Sequence, residues 1–462
     1  MGVPVAALFA DVPGFQVTGL QRRSKRSGWK IEALNQGVNP IGGVEPGLGE
    51  LVRRVVEKGS LRATSDPGCL GQADAVLVTV QTPVDENHQP LYDSLLEALH
   101  EVGRRMRPGA LVSLESTVAP GTTMHMAKPI LERESGLRAG EGFNLVFSYE
   151  RVMVGRLLHN LTQLDRVVGG VTPQCAERGV ELYKHIVQAD LHPTDATTAE
   201  VAKVVENTYR DVNIGFANEV ALICESLGVD VWEVRELVNS LPNIPGDPDK
   251  NPYRNMHRPG AGVGGHCLPK DPWLLKHGLD TYGALPVEPA IIVASRMVND
   301  YMPSHMGALL WDALDERGLD PGDARVAILG FAFLGNSDDP RNTPSIPLFR
   351  QLEGLVGEVV IHDPYVEEYE GYPLTGDLEG ALAGRDAAVL VTGHDEYRGL
   401  TLERLKELLR TPILVDGRNI WDRKKALRMG FTFRGVGQPR GGRRGLPGFS
   451  PGGFQGPPGA FH

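Results

Sequence analysis

Four short apolar runs, FQVTGL, AVLVTV, ALVSLES and NLVFSYE, recur between the start of the chain and about residue 190, with segments of helical period such as DSLLEALHEVGRRM between them. Runs this rich in Val and Leu present apolar side chains on both sides of an extended strand, so both faces of their sheet must be covered. The helices between them are long enough to cross between parallel neighbours and to supply that cover. The pattern predicts a doubly wound domain. From about residue 195 to 300 the period becomes helical, most clearly in TAEVAKVVENTYRDVNIGFANEVALICESLG, whose length suits a spine joining two domains. Strand-like runs return in RVAILGFAF, EVVIHDP, AAVLVTG and PILVDGR, which predicts a second open α/β sheet. The expected fold class is therefore α/β, with two doubly wound, Rossmann-like domains joined by a central helical domain with a long spine helix. The expected divisions are 1–193, 194–300 and 301–436, followed by a disordered tail over 437–462 that is too rich in Gly and Pro to bury a core.

At 462 residues the chain can build two or three cores, and 41% hydrophobic residues suit a soluble globular protein. A net charge of -11 disfavours nucleic acid or an anionic membrane as the main partner. No apolar run approaches the roughly 18 to 20 residues that cross a bilayer, and the first residues lack the layout of a secretion signal, so a cytoplasmic protein is expected. Cys69, Cys175, Cys224 and Cys267 are scattered without metal-type spacing; neither a disulfide framework nor a bound metal is expected.

One of these cysteines lies in GVGGHCLPKDPWLL, residues 262–275. The glycines before Cys267 remove bulk and permit positive φ, so a large molecule can approach the backbone, and His266, Lys270 and Asp271 surround the thiol with ionisable groups. A tight turn around an inert cysteine is the competing reading. Open sheets bind ligands beyond the carboxyl ends of their strands. At such ends Thr82 follows AVLVTV, Ser116 and Thr117 follow ALVSL, and Glu150 follows NLVFSY, although any one alone would pass for loop punctuation. Lys203 and Asn207 stand four apart on the long helical run, hence on one face. They are either a solvated pair or an ammonium and an amide aimed at an oxygen that gains negative charge. With Cys267 as nucleophile toward a carbonyl carbon and Asp271 or Glu150 activating water, the combined chemistry is oxidation of an aldehyde through a thioester.

Taken together, GVGGHCLPKD, AEVAKVVENTYRDVN, LESTVAPGTT, SYERVMVG, LGFAFLGNSDDPRNTPS and VDGRNIWD resemble the UDP-glucose/GDP-mannose dehydrogenase family in order and spacing over residues 2 to about 425. Within that family GVGGHCLPKDPW, YERV and ENTYRDVN are most similar to the UDP-N-acetyl-D-mannosamine enzymes, with the UDP-glucose and UDP-N-acetylglucosamine enzymes next. The resemblance implies NAD-dependent oxidation of a UDP-hexose at its C6 alcohol to the uronate in two steps, for polysaccharide or glycan biosynthesis, by a homo-oligomer, dimer or higher. It implies that Cys267 captures the intermediate aldehyde as a thiohemiacetal, that Lys203, helped by Asn207, attends the C6 oxygen, and that Asp271 assists the water. Thr117 and Glu150 would lie beside the cofactor and the reacting carbon. Substrate contacts implied in the same way are Arg151, Val152, Arg210, Gly264 and Arg418, together with Glu150, Lys203 and Asn207. Arg254 or Arg258 would reach a neighbouring subunit's substrate, although Arg258 is as readily a loop charge in solvent. Implied cofactor contacts are Gly2, Gln21, Thr82, Thr117, Lys270 and Arg341, the last suited to pairing a phosphate.

The chain departs from the family pattern in three places. The family opens with a strand and a GxGxxG turn, whereas this chain opens MGVPVAALFAD with Gly2 aligned to the last glycine. Without that strand the first sheet would lose a central member and expose hydrogen-bonding edges, and sequence upstream of Met1 is expected to encode it. After FQVTGL the family places an Asp for the adenosine ribose, but here Gln21 stands before RRSKRSGWK. Arg22, Arg23 and Lys25 would attract a ribose 2′-phosphate, which keeps NADP as an alternative to the expected NAD. Leu334 replaces a Lys that faces the substrate in many relatives. Two other readings stay open: a two-electron 3-hydroxyacid dehydrogenase, which would need neither the thiol of GGHC nor the VDGRN region, and an inactive protein that only binds UDP-sugars.

Overall fold

The structure, a computed structural model, describes residues 2–22, 28–42, 45–152, 155–240 and 256–439. The chain divides into two compact units, residues 1–206 with 273–287 and residues 207–272 with 288–462.

In the first unit β1 (Val17–Leu20) and β2 (Leu61–Thr64) pair in parallel as a sheet of two. A second sheet orders β3 (Ala75–Val78), β4 (Leu111–Leu114), β5 (Asn144–Phe147), β6 (Arg166–Gly170) and β7 (Leu191–Asp195) side by side. All four residues of β4 are buried, as a strand covered on both faces requires. Part of that cover is the helix Asp93–Arg105, which buries Leu95, Leu99 and Val102 at helical spacing. Val17 of β1 shares a core cluster with Ala75 and Leu77 of β3, yet no ladder joins these two strands among the described residues. The sheet is thus in two pieces, with the backbone groups of an edge strand on each side of the break.

The expectation of an all-parallel sheet fails at β5 and β6. These run antiparallel, with Val146 opposite Gly170 and Phe147 opposite Gly169. Among the described residues the connection between them carries the seven-residue helix Leu157–Gln163.

In the second unit six strands, β8 (Arg325–Leu329), β9 (Glu358–His362), β10 (Leu374–Thr375), β11 (Ala387–Leu390), β12 (Ile413–Asp416) and β13 (Thr432–Gly435), form one parallel sheet in the order β10-β9-β8-β11-β12-β13. Every residue of β11 and β12 is buried. The helix Ala290–Glu316 packs Met302, Met306, Leu309 and Leu310 into the core that holds Val326, Ile328, Val389 and Val415. The strand order reverses between β8 and β11, the place where such sheets leave a crevice at the carboxyl ends. Gly330, directly after β8, has φ +96°, and a Cβ there would lie 2.4 Å from Thr392 Cβ, so only glycine allows the loops after β8 and β11 to meet.

The expected spine is a single helix, Ala196–Leu227. No helix among the described residues is long and apolar enough to cross a membrane.

Candidate functional site

In the first unit the end of β5 and the start of the long helix assemble one cluster. Lys203 is 7% exposed, which excludes the reading of a solvated surface lysine. Its Nζ donates to Glu150 O at 2.8 Å, lies 3.5 Å from Glu150 Oε2, and sits 5.1 Å from the centroid of the Tyr149 ring. A desolvated ammonium needs such partners: a carbonyl, a carboxylate and a ring face. Next to it Glu206 accepts from Tyr149 Oη at 2.8 Å and from Arg151 Nε at 2.9 Å, with a further bond from Arg151 Nη2. Burial, and then Glu206, push the Tyr149 hydroxyl well above its ordinary pKa, so it stays a donor. Val152 is part of the apolar packing. Sequence reasoning passed over Tyr149 and Glu206, although SYERV and ENTYRDVN carried both.

Thr82 and Thr117 follow β3 and β4, and Thr82 Oγ1 donates to Thr117 O at 2.6 Å. Gln21 follows β1. Gly2 opens the helix Gly2–Asp11, and a Cβ there would lie 3.0 Å from Thr79 Oγ1. A bare backbone at a helix start, with hydroxyl and amide side chains beyond the carboxyl ends of parallel strands, fits a dinucleotide whose pyrophosphate approaches main-chain N–H groups. Arg22, one of the basic residues expected to favour a 2′-phosphate, is ion-paired with Glu97. Arg23 and Lys25 lie outside the described residues, as does Arg254.

The second unit holds the thiol loop. Gly265 N donates to Arg341 O at 2.9 Å, and Asn342 Nδ2 donates to Gly265 O at 2.9 Å, so both polar groups of this glycine are tied to the loop after β8. Gly265 has φ +86°, and a Cβ on Gly264 would lie 2.6 Å from Phe333 Cβ. Cys267 is half-buried, and its carbonyl accepts from Lys270 N at 3.0 Å and Asp271 N at 2.8 Å, turning the chain into the helix Asp271–Tyr282. Asp271 is fully buried; Oδ2 accepts from Asn207 Nδ2 at 2.6 Å and Oδ1 lies 3.3 Å from Lys270 Nζ. Asn207 donates to the carboxylate of Asp271, and Lys203 lies against that of Glu150.

Asp339 grips Arg341 through Nε, at 2.8 Å to Oδ1, and through Nη2, which fixes the direction of the guanidinium. Burial, and then the charge of Arg341, hold His266 below its ordinary pKa. Arg418 donates through Nε to Val391 O at 2.6 Å, and its own loop is pinned by Asp416, which accepts N–H bonds from Arg418, Ile420 and Trp421 at 2.8, 2.9 and 3.0 Å. Burial pulls the Arg418 guanidinium down to about 10, which leaves it a cation at neutral pH. Arg210, Arg258 and Leu334 are exposed. No disulfide joins any two cysteines, and among the described residues no three His, Cys, Asp or Glu side chains are grouped to hold a metal.

Comparison with known proteins adds three domain matches. The NAD binding domain of the UDP-glucose/GDP-mannose dehydrogenase family matches residues 1–187, its central domain residues 197–301, and its UDP binding domain residues 327–423. The UDP-N-acetyl-D-mannosamine dehydrogenase of Pyrococcus horikoshii is 37% identical over 439 residues, 95% of this chain and 97% of the relative. An NDP-N-acetyl-D-galactosaminuronic acid dehydrogenase of Ralstonia solanacearum is 34% identical, over 86% of this chain and 89% of the relative. Among solved structures, that of the NDP-N-acetyl-D-galactosaminuronic acid dehydrogenase from Methanosarcina mazei Go1 is 42% identical with a TM-score of 0.86, covering 95% of this chain and 93% of that one.

Proposed function

The chain belongs to the UDP-glucose/GDP-mannose dehydrogenase family and is an NAD-dependent nucleotide-sugar dehydrogenase, and from that premise we propose that it oxidises UDP-N-acetyl-D-mannosamine at C6 to the uronate, for polysaccharide or glycan biosynthesis in the cytoplasm. The observation that carries the reading is the buried Lys203, its ammonium donating to the backbone carbonyl of Glu150 and lying within ion-pair range of the same residue's carboxylate, on the helix that also presents Asn207 to Asp271 four residues beyond Cys267. The matched UDP binding domain disfavours the 3-hydroxyacid alternative, which has no use for it.

NAD, when bound, would supply the hydride acceptor, one molecule for each of the two oxidations that yield first the aldehyde and then the thioester, and Gly2, Gln21, Thr82, Thr117, Lys270 and Arg341 would hold it. Lys203 faces the C6 oxygen and stabilises negative charge there as the hydroxyl proton passes to water. Cys267, as the thiolate, adds to the aldehyde carbon; a C–S bond forms and the oxygen takes up a proton, giving a thiohemiacetal. Asp271 or Glu150 takes a proton from water, which adds to the thioester carbon; the C–S bond breaks and the thiolate is regenerated beside the carboxylate product. Arg151, Val152, Arg210, Gly264 and Arg418 position the nucleotide sugar, with Arg254 or Arg258 reaching that of a second subunit.

The division into domains at 1–193, 194–300 and 301–436 is part of the same proposal, as is a homo-oligomer. Tyr209, Phe216 and Ile223 recur every seven residues on the long helix and are 65%, 56% and 50% exposed, an apolar stripe suited to a second copy. The function is tested by incubating the purified protein with NAD and a panel of UDP-hexoses and counting reduced nicotinamide per sugar oxidised. Two per UDP-N-acetyl-D-mannosamine is expected. One per sugar, or a faster reaction with UDP-glucose, overturns the chemistry or the substrate respectively, and faster initial rates with NADP overturn the assignment of NAD to this chain.

A further inference from the structure

Behind the strand ends of the first unit lies a charged group that the mechanism leaves unused. Arg166 opens β6 and is 4% exposed. Its Nη2 donates to Glu115 Oε1 at 2.7 Å and to Ser148 O at 2.9 Å, and its Nε donates to Ser148 Oγ at 2.8 Å. Glu115 is the residue after β4, two before Thr117; Ser148 is the residue after β5, two before Glu150. One planar guanidinium therefore bonds the ends of two neighbouring strands at once. The ring of Tyr183 lies 3.9 Å from the guanidinium, and its hydroxyl donates to the same Glu115 oxygen at 2.7 Å.

A buried ion pair is poor evidence of stabilisation, since desolvation of both charges offsets their attraction and an apolar pair of equal volume often does as well. An apolar pair, however, has no directional bonds with which to fix one strand end against another. Burial pushes the Glu115 carboxyl above its ordinary pKa; Arg166 opposes this, and the negative charge of Glu150 adds to it, so Glu150 acts electrostatically on the pair.

We propose that Arg166 is a positioning residue which, through Glu115 and Ser148, sets the placement of Thr117 and Glu150 and so of the Lys203 ammonium that Glu150 holds. This rests on the reading of Glu150 and Thr117 as parts of the active site. Arg166→Lys keeps the charge but replaces the fork by a single point donor. Ser148→Ala removes the acceptor of Arg166 Nε, together with the hydroxyl's own bond to Val167 O, and leaves the ion pair intact.

The test measures kcat and KM for NAD and for the UDP-hexose the wild type oxidises fastest, in Arg166→Lys, Ser148→Ala and Glu150→Gln, with circular dichroism to show that each is folded. In Arg166→Lys kcat is expected to fall by about tenfold or more, and in Ser148→Ala by about threefold, while both KM values stay within about threefold, because misplaced groups lose rate rather than binding. Should Arg166→Lys not fold, Ser148→Ala decides alone. Loss of turnover in Glu150→Gln together with wild-type kcat in the folded Arg166 and Ser148 variants, or a change confined to KM, overturns the positioning role and leaves the site reading standing. Wild-type turnover in Glu150→Gln overturns the site reading and this proposal with it.

Discussion

Replacing Gly264 by Ala puts a methyl group into a space that does not exist. Its carbon would lie 2.6 Å from Phe333 Cβ, 2.8 Å from Asn342 O and 3.1 Å from Pro344 Cδ, where ordinary contact begins at 3.4 Å. Two of these neighbours cannot rotate away, one being a backbone oxygen and the other a Cβ, so the loop itself must retreat by about 0.8 Å. That retreat strains the two bonds joining Gly265 to residues 341 and 342, two positions before Cys267. Overpacking of this kind costs about 1–3 kcal/mol of stability. With Cys267 as the proposed nucleophile, a displacement near 1 Å there costs about 10²-fold in kcat. Turnover is read from reduced nicotinamide, and thiol placement from the rate at which iodoacetamide alkylates Cys267, located by peptide mass spectrometry. Both rates should change in Gly264→Ala while the protein stays folded at 25 °C. A variant with wild-type kcat and wild-type alkylation would show that the glycine shell does not position the thiol.

Cys267→Ser should lower uronate formation by roughly three orders of magnitude, because a serine hydroxyl is a far weaker nucleophile than a thiolate; uronate at the wild-type rate would end the thioester route. Glu200 is fully buried and accepts bonds from Gly121 N, Thr123 N and Thr123 Oγ1, and burial pushes its carboxyl from 4.5 up to about 7. The folded chain thus keeps this proton longer than the unfolded one, so the stabilisation is full below about pH 4.5 and is lost as pH rises through about 7, a loss of about 3 kcal/mol at most. Melting temperatures of wild type and Glu200→Gln across this range should converge on the acid side and show a flatter profile in the variant; parallel profiles would contradict the assignment. Phe216→Asp, in the exposed apolar stripe, should lower the mass seen by sedimentation without unfolding the chain, and an unchanged mass would remove this stripe from the subunit interface.

The alternation of apolar runs and helices determined the fold class, because burying a run such as ALVSLES or PILVDGR on both faces leaves few arrangements other than a covered, mostly parallel sheet. It was silent where strands carry little apolar signal. β7, LHPTD, is largely exposed, and β6, RVVGG, ends in two glycines whose Cβ positions would strike Ala199 and Ala176. The reversal of β6 shows in the pairing of Val146 with Gly170 and Phe147 with Gly169, which no local pattern encodes. At the site, residue types and spacing singled out Cys267, Lys203 and Asp271, whose chemistry is rare enough to stand out. Which partner each engages was decided by tertiary structure alone: Glu150 is 53 positions from Lys203, and Glu115 is 51 from Arg166. Hydrogen bonds and desolvation act through space, so the packing of the strands, and not distance along the chain, chose which charges meet.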